Sequence, residues 1–247
     1  MPFLQLLDAG GSWREFRAIS RFPVKGLTLT GDDPLLMHAQ DAFRLVARYL
    51  NPPPVIAVLS GPSGVGKDSV IRRMDELGYA FEFVVTATDR PPRPGERHGI
   101  DYYFVTRSEF ERLISENEFF EYALVYGQYK GVPKFQVREA LKSGRDVIMR
   151  LDVQGAATIR RQVPQVLTVF LAPPSPEVLL SRLRRRGGDS EEQLQKRLDV
   201  ALSEMQRIYE FDYVVVNYEN RLDDAAHQVA AIMQAEKLRS DRTAIAV

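Results

Sequence analysis

The segment Gly61-Pro62-Ser63-Gly64-Val65-Gly66-Lys67-Asp68-Ser69 meets the G-x-x-x-x-G-K spacing of a phosphate-binding loop in full. Glycines in such a loop let successive backbone N–H groups turn inward around phosphate oxygens, and the lysine reaches toward the β- and γ-phosphates. The residue after the lysine is normally Ser or Thr, whose hydroxyl ligates magnesium; here it is Asp68. A carboxylate is also a good oxygen ligand for that ion, although it brings extra negative charge beside a polyphosphate. Asp68 is therefore the candidate metal ligand.

Three further groups could act with this loop. Asp152 follows the apolar run Val147-Ile148-Met149-Arg150-Leu151. It reads either as the acid that accompanies a phosphate loop or as the N-cap of a helix. Arg90 and Arg93 lie three apart in a proline-braced loop, which suits a dianionic phosphate, though a solvated basic loop has the same composition. Arg182 and Arg186 fall one helical turn apart, with Arg197 further on and Gly187-Gly188 as a joint between two helices. Basic residues at a helix C-terminus also complement its dipole.

The elements that must position these groups alternate. Val55–Ser60 is a short apolar run leading into the loop, and Val70, Ile71, Met74 and Leu77 mark one face of the helix after it, with Gly78 as its stop. Strands are predicted over Phe81–Val85, Val147–Asp152, Val166–Ala172 and Tyr213–Asn217. Helices are predicted near 108–116, 134–143, 154–162, 176–186, 191–208 and 221–237. Thr106-x-x-Glu109 and Ser190-x-x-Gln193 read as capping boxes. The pattern implies an α/β fold with a mainly parallel core sheet. Upstream, Asn51-Pro52-Pro53-Pro54 makes a stiff break. Before it, a helix is expected over Pro34–Leu50, capped by Asp33, with Leu36, Ala39, Ala42, Phe43 and Val46 as an apolar face.

Thr86-Ala87-Thr88-Asp89-Arg90-Pro91-Pro92-Arg93-Pro94-Gly95-Glu96, Gly99-Ile100-Asp101-Tyr102-Tyr103-Phe104-Val105, Phe120-Glu121 and Asp152-Val153-Gln154-Gly155 stand in one order downstream of the loop. Together these motifs resemble the guanylate kinases from about Val55 to Leu238, and G-K-D, Y-K-G-V-P-K and M-R-L-D-V-Q-G are similar to the plastid-type subtype. The resemblance implies a P-loop nucleoside monophosphate kinase fold that transfers a phosphoryl group from ATP, with Mg2+, to GMP and also dGMP. It implies a core over 55–85 and 146–238, a GMP-binding region over 86–145 and a helical lid at about 182–200. Residues 1–54 would form an extension outside it, and 239–247 a tail.

By the same resemblance, Thr86, Arg90, Arg93, Tyr102, Glu121, Lys130 and Asp152 contact GMP. Lys67, Arg182, Arg186 and Arg197 act on the transferring phosphoryl, and Asn217 lies near adenine. Glu121 would be the guanine reader, because one carboxylate can accept from guanine's N1–H and amino group together. Read without the family, it is a charge in an edge strand. Two positions depart from the family pattern: Lys130 stands for a tyrosine, and Val132 for a hydroxyl near the base.

Lysine plus arginine equals aspartate plus glutamate at 33 each, so no bulk charge draws the chain to nucleic acid or an anionic membrane. Without cysteine there is no disulfide, thiolate metal site or cysteine nucleophile, and the three histidines show no ligand spacing. No apolar run approaches the roughly 18–20 residues needed to span a bilayer. The first residues lack the order of a secretory signal, and Asp8, Glu15, Asp32 and Asp33 are unlike an acid-poor transit peptide, so the expectation is a bacterial cytoplasm. Oligomeric state is not legible. Two rival readings remain: a ribose 1,5-bisphosphate kinase of the same fold, and a phosphopeptide-binding module.

Overall fold

The computed structural model describes residues 49–125, 127–185 and 190–243 without interruption, together with 39–40, 43–44, 46–47 and 245. The chain divides into two units, Met1–Asn51 and Pro52–Val247. In the first, every described position from 39 to 50 is helical, whereas Asp33, Pro34, Leu36 and Ala42 lie outside the described residues.

The second unit is built on a five-stranded sheet. Its strands are β1 (Ile56–Ser60), β2 (Glu82–Phe83), β7 (Val147–Arg150), β8 (Leu167–Ala172) and β9 (Tyr213–Val216), in the order β2-β7-β1-β8-β9. Every pairing in it is parallel. Such a sheet needs cover on both faces, and β1 shows why. Ala57 and Leu59 pack with Val70, Ile71 and Met74 of α1 (Lys67–Glu76) and with Ala225, Val229 and Met233 of α7 (Leu222–Lys237). Ile56 and Val58 face the other way, onto Val137 and Ala140 of α3 (Lys134–Lys142) and Ala156 and Ile159 of α4 (Val153–Gln162). Helix α1 stops where Gly78 takes φ +80°, a backbone geometry that favours glycine.

A second, four-stranded sheet has the order β4-β3-β6-β5, from β3 (Ala87–Thr88), β4 (Tyr103–Phe104), β5 (Phe119–Val125) and β6 (Gln128–Pro133). Strands β5 and β6 pair antiparallel, with Glu121 opposite Val132. Helix α2 (Arg107–Ser115) buries Phe110 against this sheet, stacked on Phe119 and Tyr129. Helices α5 (Pro176–Arg185) and α6 (Glu191–Met205) pack through Leu179, Leu183, Leu194 and Ala201.

Local differences from the sequence expectation have physical causes. The strand expected over Phe81–Val85 shortens to Glu82–Phe83 because the side-chain amide of Gln136 takes both backbone groups of Val85, at 2.9 and 2.8 Å. Ser190 and Gln193 form the full capping box. Thr106 accepts from the Glu109 N–H, but the Glu109 carboxylate turns to Arg112 and leaves that box half made. The helix expected over 191–208 ends at Met205, and a 3-10 turn follows at Ile208–Glu210. Among the described residues, no helix is long and apolar enough to cross a membrane.

Candidate functional site

The phosphate loop joins β1 to α1, so the N–H groups of its last residues open the helix and carry its partial positive charge. Gly61, Gly64 and Gly66 hold φ of +133°, +85° and +100°. A Cβ on Gly61 would collide with the Leu171 carbonyl oxygen, and one on Gly66 would come to 2.7 Å from Asn217 Nδ2. The Lys67 ammonium donates to the carbonyls of Gly61 at 2.5 Å and Pro62 at 3.2 Å. Burial pulls its pKa below the usual lysine range, opposed by the nearby carboxylates of Glu204 and Asp68. A cavity of about 250 Å3 opens here between Ser63–Asp68, Arg150, Asp152 and Glu204.

Asp68 and Ser69 lie in the first turn of α1, and Asp68 is ion-paired to Arg150 at the end of β7. The added negative charge is therefore balanced by a guanidinium that sequence reading did not select. Asp152 caps α4, accepting from the N–H groups of Gln154 at 3.0 Å and Gly155 at 2.8 Å. Its capping role is thus observed, and its place in the cavity beside Lys67 leaves the functional role open alongside. Among the described residues, no group of three or more His, Cys, Asp or Glu side chains could hold a metal ion. The donor set fits only an ion whose remaining ligands come from phosphate and water, as is usual for magnesium.

The second sheet and its loops carry the other cluster. Arg90 is almost wholly buried and makes a two-pronged pair with Glu96, at 2.6 Å for each prong. Glu96 also accepts from the Arg93 N–H at 2.7 Å, and the Arg90 guanidinium holds the Glu96 carboxyl down at about 2. The guanidinium lies 4.8 Å from the centre of the Tyr102 ring, and the Lys130 ammonium 5.8 Å from it. Thr86 accepts from the Tyr103 N–H through its carbonyl at 2.9 Å. Arg90, Tyr102 and Lys130 thus gather around one ring, while the Arg93 side chain stays exposed.

Glu121 stands on β5 against Gly155, where an added Cβ would come to 2.6 and 2.7 Å from its carboxylate oxygens. Burial, with a contribution from the Asp152 charge, raises its pKa to about 7. Val132, its cross-strand neighbour, is buried in the core that α3 and α4 share. It forms an apolar wall there and offers the site no hydrogen bond.

On α5, Arg182 donates to the carbonyls of Val65 at 3.1 Å and Asn217 at 2.9 Å, and burial lowers its pKa. Asn217 is buried and donates to Val65 O at 2.9 Å, so both residues brace the phosphate loop. Arg197 sits half-buried on α6. Arg186, Gly187 and Gly188 lie outside the described residues. Glu204, Arg150 and Glu96 are the site residues that sequence reading passed over. Glu204 falls seven residues after Arg197 on one helix, the one sequence signal that could have found it.

A family model described as guanylate kinase matches residues 54–236. "Guanylate kinase 2, chloroplastic/mitochondrial" of Oryza sativa subsp. japonica is 49% identical over 189 residues, covering 76% of this chain and 66% of that protein. "Guanylate kinase" of Desulfitobacterium hafniense is 41% identical over 188 residues, covering 76% of this chain and 93% of its own. The crystal structure of guanylate kinase from Anaplasma phagocytophilum aligns with a TM-score of 0.57 at 32% identity, over 76% of this chain and 88% of that one.

Proposed function

The chain belongs to the guanylate kinase family, and from that premise we propose that it transfers the γ-phosphoryl group of ATP to GMP, giving ADP and GDP. The observation that carries the reading is the position of Asp152. It lines the phosphate-loop cavity with Lys67, and its charge also acts on Glu121 across α4. A donor cradle and a base reader therefore meet at one helix start.

In this reading a GMP phosphate oxygen, already anionic, attacks the γ-phosphorus while the bond to the β-phosphate oxygen breaks. No general base is required, so catalysis consists of alignment and cancellation of spread charge. Lys67 leaves its loop carbonyls for the β- and γ-phosphates. Arg90, Arg93, Tyr102 and Lys130 hold the acceptor phosphate, with Glu96 keeping Arg90 in place. Thr86, Glu121 and Asp152 face GMP, and Asn217 lies near adenine. Arg182, Arg186 and Arg197 close over the transferring group and exclude water. Magnesium, when bound with ATP, supplies further cancellation of phosphate charge, and Asp68 would be its protein carboxylate.

Glu121 supports guanine over adenine. Adenine's unprotonated N1 would face the carboxylate and leave a half-buried acceptor without a donor. The same residue argues against a sugar phosphate acceptor, which has no base edge to read. Lys67 argues against a phosphopeptide module, which has no use for a γ-phosphate ligand. We assign residues 55–238 to the kinase and 1–54 to an extension, with dGMP as a second acceptor. A coupled ADP-release assay across GMP, dGMP, AMP, UMP, CMP and ribose 1,5-bisphosphate tests this. Turnover with GMP and dGMP alone is expected, and a preference for any other acceptor overturns it.

A further inference from the structure

The Ser63 N–H belongs to the loop amides that a polyphosphate needs, yet a protein carboxylate already accepts from it. Glu204 Oε2 lies 3.2 Å away. Glu204 comes from α6, lines the same cavity as Lys67, and attracts the Lys67 ammonium. A loop amide, a helix start and an ammonium make a field built for an anion, and in this structure the anion is Glu204. Burial works against that charge and raises the carboxyl's proton affinity, while the Ser63 N–H and Lys67 pull the other way.

Its place on α6 adds a second point. Arg197 and Glu204 are seven residues apart, which is two turns and about 10 Å along one face of a helix. Leu194 and Ala201 on that face are buried and Arg197 and Glu204 half-buried, whereas Gln193, Lys196, Val200 and Ser203 are exposed. A rigid movement of α6 therefore moves both charged groups together.

We propose that Glu204 is a positioning residue of the phosphate loop, whose carboxylate holds the Ser63 amide and is exchanged for a nucleotide phosphate. Where that exchange shifts α6, Arg197 shifts with Glu204, because one helix carries both. Filling the loop and moving a lid arginine then become one event. The inference rests on the loop being the ATP site.

Isothermal titration of ATP with magnesium into the full chain tests it, using wild type, Glu204→Gln and Glu204→Ala. Both variants remove the competing negative charge, so both should bind ATP about fivefold tighter, the ratio expected when a charged hydrogen-bond partner gives way to a neutral one or none. Inorganic pyrophosphate, which has no base, should gain by the same factor in competition. A contact that merely braces the loop would give the opposite sign. Unchanged or weaker ATP binding in both variants, beside a wild type that binds ATP, overturns the role of Glu204 alone. A folded wild type that binds neither ATP nor pyrophosphate overturns the nucleotide reading and this inference with it.

Discussion

In the proposed role of guanine reader, Glu121 must be ionised to accept two donors, yet burial raises its pKa to about 7. Below that pH the carboxyl is protonated and presents a hydroxyl to a donor edge. We expect kcat/KM for GMP to fall about tenfold per pH unit below pH 7, since that ratio reports free-enzyme ionisations. The GMP phosphate titrates near pH 6 as well, so Glu121→Gln is the needed control. That variant should lose about tenfold or more in kcat/KM for GMP at pH 8, narrow the gap to AMP, and lack the fall that begins near pH 7. A profile shared by wild type and variant would place guanine recognition elsewhere. The raised pKa also means that Glu121 favours the fold most below its ordinary range and loses that contribution as pH rises through about 7. Lys67 is simpler. Lys67→Ala should lower turnover by about two to three orders of magnitude, with melting unchanged by calorimetry, because it removes a charge stabiliser rather than a core side chain.

At the scale of elements, α4 is where the proposed base reader and local structure meet. Asp152 caps the helix and Gly155, in its first turn, lets β5 bring Glu121 against it. Gly155→Ala should be neutral or favourable for the helix itself, since alanine exceeds glycine in propensity by about 1 kcal/mol. The new methyl would nevertheless displace the Glu121 carboxylate. We expect KM for GMP to rise about tenfold while the melting temperature is held or raised, measured on the same preparation. Loss of stability without change in KM would show that the carboxylate swings aside freely. The β2 edge follows the same logic: β2 ends at Phe83, Gln136 of α3 holds both backbone groups of Val85, and the chain then passes to the second sheet at Ala87.

Across the whole molecule, one buried acid ties several elements together. Asp146 accepts from the Val55 N–H at 2.9 Å just before β1 and pairs with Lys237 at the end of α7, at 2.6 Å. Its side chain is 3% exposed, so removing it strands both a backbone donor and a half-sequestered ammonium. Asp146→Ala should cost roughly 3 kcal/mol, the lower end for breaking a buried pair. In a chain of this size that lowers the melting temperature by about 6–12 °C. The rate with GMP at 25 °C should persist, because Asp146 lies away from the phosphate-loop cavity. A melting temperature within a degree or two of wild type would mean that water replaces the pair.

What the sequence determined by itself is local. The glycine loop, the cap at Ser190, the stop at Gly78 and the strand–helix alternation each depend on residues within a few positions of one another, where backbone sterics leave few solutions. The order of motifs was also enough to read the family. Partner choice for charged side chains was decided only by tertiary structure. Arg150 meets Asp68 across 82 residues, and Glu204 meets the Ser63 amide across 141. In a chain with 33 residues of each sign, many pairings are electrostatically acceptable, and topology alone selects among them. The magnesium question at Asp68 changed for that reason: a lone acid in the sequence became half of an ion pair once β7 lay beside α1.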